Sequence, residues 1–292
     1  MTAATTTAAV AGRSAHRRLP RFLRRREGAL GAVLLALVLL VSFAGPFVAP
    51  HPLSRPVSFP GAPPSSAVLF GTDSLGRDVL SRVLFGGSSV LTLSLVSIAL
   101  TYLVGVQLGV LAGLSRRAFV DPLIMRLVDL LITFPPLLLL LVLLSGAGEG
   151  FWVLVLGIAL VLFPGVARVA RSATAEVATT GYVEAATVRG ERLPAIMYRE
   201  VLPNIAPAIL ADLGVRFAAA VILAASVNFL GLGAQPPAAD WGLMVSENRT
   251  VLATNVWAVA LPALLLAVLT ISVNLLADAY AHSLGRSDGR SR

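Results

Sequence analysis

The side chains able to do chemistry are few in this sequence and lie far apart. No cysteine is present, which removes disulfides, thiolate metal sites and thiol nucleophiles. His16, His51 and His282 stand in separate parts of the chain and share no metal-ligand spacing. All 23 basic residues are arginine. A P-loop needs a lysine on the nucleotide phosphates, and no GxxxxGK[ST] exists, so this chain does not hydrolyse ATP by that route. What remains are arginines and carboxylates in short groups. These are Asp73, Arg77, Asp78 and Arg82; Arg126 and Asp129; Glu184, Arg189, Glu191, Arg192, Arg199 and Glu200; and Asp212 with Arg216. None has the histidine or nucleophile that acid–base or covalent catalysis requires.

The elements that must position these groups are apolar. The chain has 292 residues, 57% hydrophobic and 13% charged, far from a soluble average. It reads as one membrane domain, all-α, with six transmembrane helices at about 28–49, 88–114, 122–145, 151–169, 207–232 and 254–280. Residues 1–27 form a basic tail, which reads as preceding a retained first span and not a cleaved signal peptide, because no clear cleavage site follows. Residues 50–87 form a Pro/Ser/Gly-rich segment, residues 88–281 a transmembrane core, and residues 282–292 a polar tail. With both termini in the cytoplasm, only Arg55, Arg77, Arg82 and Arg249 fall outside, against 19 on inner segments or inner span ends. The net charge of +8 is thus topogenic and calls for no nucleic acid.

Three local patterns carry further expectations. Between 70 and 86, Leu75, Val79, Leu80, Val83 and Leu84 make an apolar stripe with Arg77, Asp78, Ser81 and Arg82 opposite, which suits either a short helix lying at the outer interface or a capped turn leading into the next span. Arg126 and Asp129 share a helix face and can pair, and Pro135-Pro136 should kink the third span. Asp212 and Arg216 form an i,i+4 pair, and Trp241 suits an aromatic belt. The longest polar interruption of the C-terminal two-thirds is the stretch 181–203. It predicts two short helices joined at Gly190, which takes a left-handed turn, with the second helix starting at Pro194 and stopping before Pro203 and Pro207.

Within that stretch, Glu184-Ala185-Ala186, Gly190 and Leu202-Pro203 resemble the EAA loop of permease subunits in binding-protein-dependent ABC importers. The run GTDSLGRD at 71–78, FLGLG at 229–233 and the following QPP…WG are similar to the dipeptide/oligopeptide/nickel permease family. The resemblance covers residues 28–281. It implies the type I importer permease fold and a heterodimer with a second, homologous permease subunit. It also implies one or two cytoplasmic ATP-binding subunits, which carry ATP and magnesium, and an extracytoplasmic substrate-binding protein. The EAA loop, about 172–206, would couple to the ATPases through Glu184, Ala185, Ala186, Gly190, Leu202 and Pro203. Gly71, Thr72, Asp73, Gly76, Arg77 and Asp78 would serve the outer gate or the binding protein's contact. This chain itself would hold no cofactor or metal and catalyse nothing. The rival is a self-sufficient secondary transporter or channel, which usually buries ionisable groups near the midplane instead of at span ends.

Overall fold

The computed structural model describes residues 26–115, 117–148 and 150–285, and over these it is built from helices, with isolated bridges but no strand. The basic tail to residue 25, Arg116, Glu149 and the residues after 285 lie outside the described residues, as do the side chains of 281–285.

Helix α1 (Arg26–Phe43) and the single turn α2 (Gly45–Val48) match the first expected span. Helix α3 (Val79–Leu114) runs beside α6 (Phe151–Ala178), and small residues let the two backbones touch. A Cβ on Gly105 would meet Phe163 O and Val166, one on Gly109 would meet Ala167 O, and one on Gly113 would meet Thr174. This four-residue spacing of glycines is the close-packing device of membrane helices, where hydrophobicity alone brings no two helices together. Contacts that advance in the same direction along both helices make α3 and α6 parallel.

That parallelism decides what lies between them. Helices α4 (Val120–Ile132) and α5 (Pro136–Ala147) are bent by 91° at their break. The chain must return from the Leu114 end to the Phe151 end within this pair, so the pair is one broken crossing. Five other helices are long and apolar enough to cross, which brings the total to six among the described residues. The sequence predicts a kink here, and the structure has a full break. The reason is serial: each proline forces the residue before it out of the α region, and Pro135 precedes Pro136 and adopts φ −57°, ψ 127°.

Helix α7 (Gly181–Val188) follows α6, and a single turn, α8 (Leu193–Ala195), begins the next crossing. The expected stop before Pro203 does not occur. A π turn (Ile196–Val201) joins α8 to α9 (Leu202–Phe229), so the helix runs on through Pro203 and Pro207. The π turn shifts the ladder to five-residue bonds, with Leu202 N–H donating to Met197 O, and Pro203 then falls in the first turn of α9, where no donor is needed.

Helix α10 (Trp241–Glu247) caps the far end, and α11 (Trp257–Gly285) packs against α1 and α9. One apolar core centres on Val83, Val90, Ile158, Val227 and Trp241. A second gathers Val106, Val110, Val166 and Ala170 around α7.

Of the two readings of the segment before α3, the structure shows the capped turn. No separate interfacial helix forms: helical structure opens only at Val79, capped by Asp78, whose carboxylate accepts from Ser81 N–H at 3.0 Å. The supposed solvent face is buried, with Arg77, Asp78, Ser81 and Arg82 all inside, while Leu75 of the supposed apolar stripe is exposed. Nor does Trp241 sit in a belt. It is fully buried, its indole N–H donating to Val83 O at 2.9 Å, in space that Gly86 and Gly87 leave open.

Candidate functional site

The loop between α6 and α9 is a rigid knob. Helix α7 ends in a double-bonded turn: Glu191 N–H donates to Ala186 O at 3.2 Å and Gly190 N–H to Thr187 O at 3.0 Å. That is a Schellman motif, and Gly190 fills its left-handed position at φ +74° as the sequence predicts. A Cβ at Gly190 would meet nothing within 4 Å, so the glycine is required by backbone conformation and not by space.

Burial divides α7 sharply. Val183 and Ala186 pack inward against Ile196, Val201 and Ile205. Gly181, Glu184, Ala185 and Val188 are exposed, and their spacing puts them on one face. Val188 is 88% exposed. The expectation that Ala186 belongs to a docking face is therefore corrected: it is fully buried in its own subunit, because the α7 stripe at 183 and 186 must cover the second core. Leu202 packs partly against the same core and Pro203 is exposed. Tyr198 O–H donates to Gln107 Oε1 at 2.9 Å, which fixes the π turn to α3. Val188, the most exposed apolar residue of the knob, was not singled out by sequence, since a lone valine carries no pattern.

At the other end, residues 71–78 form a clamp. Asp73 Oδ2 accepts from Arg77 Nε at 2.6 Å and Arg82 Nη1 at 2.7 Å; Glu247 Oε2 accepts from Arg82 Nη1 at 2.8 Å and Arg77 Nη2 at 3.2 Å. Two guanidinium groups thus face two carboxylates with little solvent. Thr72 O–H donates to Phe59 O at 2.7 Å, Asn248 Oδ1 accepts from Ser74 N–H at 2.9 Å, and Asn255 Nδ2 donates to Phe70 O at 2.9 Å. Gly71 (φ +71°) and Gly76 (φ +76°) are both buried, and a Cβ on either would strike a carbonyl, Ala62 O or Ser58 O. The structure brings Gly71, Thr72, Asp73, Gly76, Arg77 and Asp78 together, but not at a surface. Glu247, Asn248 and Asn255 complete the clamp from more than 160 positions away, and no local sequence signal marks them.

Three ion pairs sit along the spans. Asp212 receives Arg216 Nε at 3.2 Å, as its spacing predicts, and also Tyr102 O–H at 2.9 Å. Asp129 does not pair with Arg126. It accepts from Arg168 Nη2 at 2.7 Å, because α4 lies against α6 and presents this side of Asp129 to it. Asp121 and Arg171 join the same two helices through two 2.6 Å bonds. Among the described residues no cluster of histidines and carboxylates suits a metal.

The described residues form an all-helical bundle with a polar knob at one end. The solved inward-facing MetNI methionine ABC transporter shares the fold with a TM-score of 0.58 at 19% identity, covering 70% of this chain and 96% of that one. The sequence goes further. Residues 105–286 match the family described as "Binding-protein-dependent transport system inner membrane component". The di/tripeptide transport system permease protein DppC of Pseudomonas aeruginosa is 35% identical over 88% of both chains. The glutathione transport system permease protein GsiD of Pectobacterium atrosepticum is 32% identical, covering 90% of this chain and 88% of its own. The probable D,D-dipeptide permease DdpC of Escherichia coli is 34% identical over 85% of this chain and 83% of its own. The chain belongs to this family: it is an inner-membrane permease subunit of a binding-protein-dependent importer.

Proposed function

We propose that the chain forms half of the translocation pathway for short peptides or a closely similar solute, paired with a second permease subunit. The permease relatives are named for di/tripeptides, glutathione and D,D-dipeptides, which share a peptide bond and a free carboxylate. An extracytoplasmic binding protein delivers the solute. One or two ATP-binding subunits hold ATP and magnesium and supply the energy, and this chain catalyses nothing itself. The arginine distribution favours the knob and both termini in the cytoplasm.

The observation that carries the coupling role is the exposed face of α7. Glu184, Ala185 and Val188 offer an apolar patch with one charge at its rim, on a short helix whose other side is anchored in the second core. Such a helix transmits displacement to α6 and α9 instead of bending. Ala185 brings the backbone close to a partner, Val188 inserts, and Glu184 meets a cation or a helix N-terminus. Gly190 sets the angle between knob and span. Leu202 and Pro203 belong to the base of the knob, where the π turn enters α9.

The test separates docking from folding. Ala185→Trp and Val188→Arg are expected to abolish copurification of the ATP-binding subunits and uptake, with membrane abundance near that of the wild type. Ala186→Trp is expected to lower abundance itself, because it overfills a closed core by roughly 1–3 kcal/mol or more. Full ATPase binding by both exposed-face variants would reject α7 as the coupling helix.

A further inference from the structure

The Asp212–Arg216 pair has one side unused. Asp212 engages only Nε of Arg216, while Tyr102 O–H holds the carboxylate from the other direction. Neither Nη1 nor Nη2 makes a hydrogen bond among the described residues. A structural arginine within a span has its remaining donors taken by neighbours, because each unpaired donor away from water is destabilising. Here the end of the fork lies against Gly165, and a Cβ at that position would come within 2.5 Å of Nη1. Glycine leaves the guanidinium its place.

Arg216, Gly165 and Arg168 line a cleft of about 320 Å³ between the broken α4–α5 crossing, α6 and α9. Its walls are apolar, with Leu131, Phe134, Leu139 and Val161 among them, and its polar side chains are Arg216 and Arg168. Arg168 gives only Nη2 to Asp129. Arg216 lies roughly 20 Å along α9 from Phe229 at ~1.5 Å per residue, within a hydrocarbon layer of ~30 Å. A carboxylate crossing at this depth meets apolar walls and one end-on pair of N–H donors whose geometry matches its two oxygens. Because Asp212 already balances the charge of Arg216, the attraction is moderate, which lets a passing group leave again.

We propose that Arg216, oriented by Asp212 and Tyr102 and assisted by Arg168, is a transient subsite for the carboxylate of the translocated solute, namely the C-terminus of a short peptide. This rests on the peptide reading given above. The cleft is large enough for a peptide terminus with its last side chain and too small for a long peptide.

The test uses the full importer in proteoliposomes, with ATPases and binding protein, and follows uptake of labelled trialanine and of its C-terminal amide. The double variant Asp212→Asn/Arg216→Gln removes the pair without stranding a charge, and Arg216→Lys keeps the charge but loses the fork. In the double variant the acid form is expected to slow by about tenfold, the size of one lost charge-assisted contact, while the amide is unchanged. Since one binding protein serves wild type and variant, its own preference cancels in the comparison. Arg216→Lys should fall between them. Equal slowing of acid and amide, or no slowing of either, overturns the subsite, as does loss of the second permease subunit from the complex, which would place these nitrogens at an interface. Wild-type complex that carries neither form overturns the peptide reading itself and the subsite with it.

Discussion

Asp240 shows how one buried carboxyl makes stability depend on pH. It caps α10, its Oδ1 accepting from Gly242 N–H at 2.9 Å, and it lies outside the spans in a fully buried position. Burial pushes its pKa above the ordinary carboxylate value, and the N–H groups of Leu243 and Gly242 only partly oppose this. A group raised on folding contributes stability that is complete below its unfolded pKa of ~3.9 and is lost as pH rises through the folded value. Melting of the detergent-purified protein should therefore move to lower temperature as pH rises from about 4. Asp240→Asn keeps the capping oxygen and should flatten that slope. An unchanged slope in the variant would assign the effect to another group.

The clamp of residues 71–78 with α3 and α10 sets a prediction for whole elements. Paired charges out of water bring little net stability, but removing one partner strands the others. Arg82→Met leaves Asp73 and Glu247 facing Arg77 alone, and should destabilise by about 3–5 kcal/mol, seen as a loss of folded protein after extraction. Adding Asp73→Asn restores charge balance between Arg77 and Glu247 and should recover part of that loss. Normal abundance with impaired uptake in Arg82→Met would instead make this segment a contact for the binding protein. The same burial explains why the amphipathic reading failed. The polar stripe of Arg77, Asp78, Ser81 and Arg82 looks solvent-facing until Glu247 arrives to satisfy it.

For the whole molecule, the orientation is open to a direct experiment. The clamp and α10 lie at one end of the bundle, and the knob lies at the other, where the parallel helices α3 and α6 both finish. The chain has no cysteine, so a single introduced one is the only thiol to label. Ser58→Cys and Ala238→Cys occupy exposed positions at the clamp end, and Thr179→Cys an exposed position beside the knob. An impermeant reagent should reach the first two in intact cells and Thr179→Cys only after permeabilisation. Labelling of Thr179→Cys in intact cells would invert the molecule.

What the sequence determined by itself was whatever depends on near neighbours. The apolar runs set the crossings, Gly190 the left-handed turn, Pro135-Pro136 the weak point in the third crossing, and four-residue spacing the Asp212–Arg216 pair. The tertiary structure alone decided which way polar faces point. Ala186 turned inward because the second core needed closing, Asp129 took Arg168 because α4 lies against α6, and Trp241 left the interface for a slot made by two glycines of α3. Pro203 did not end a helix, because the π turn ahead of it moved the ladder. Each of these outcomes depends on contacts between distant segments. In a chain so apolar, burial cannot be assigned from hydrophobicity, since lipid and protein interior accept the same side chains and only packing partners separate them.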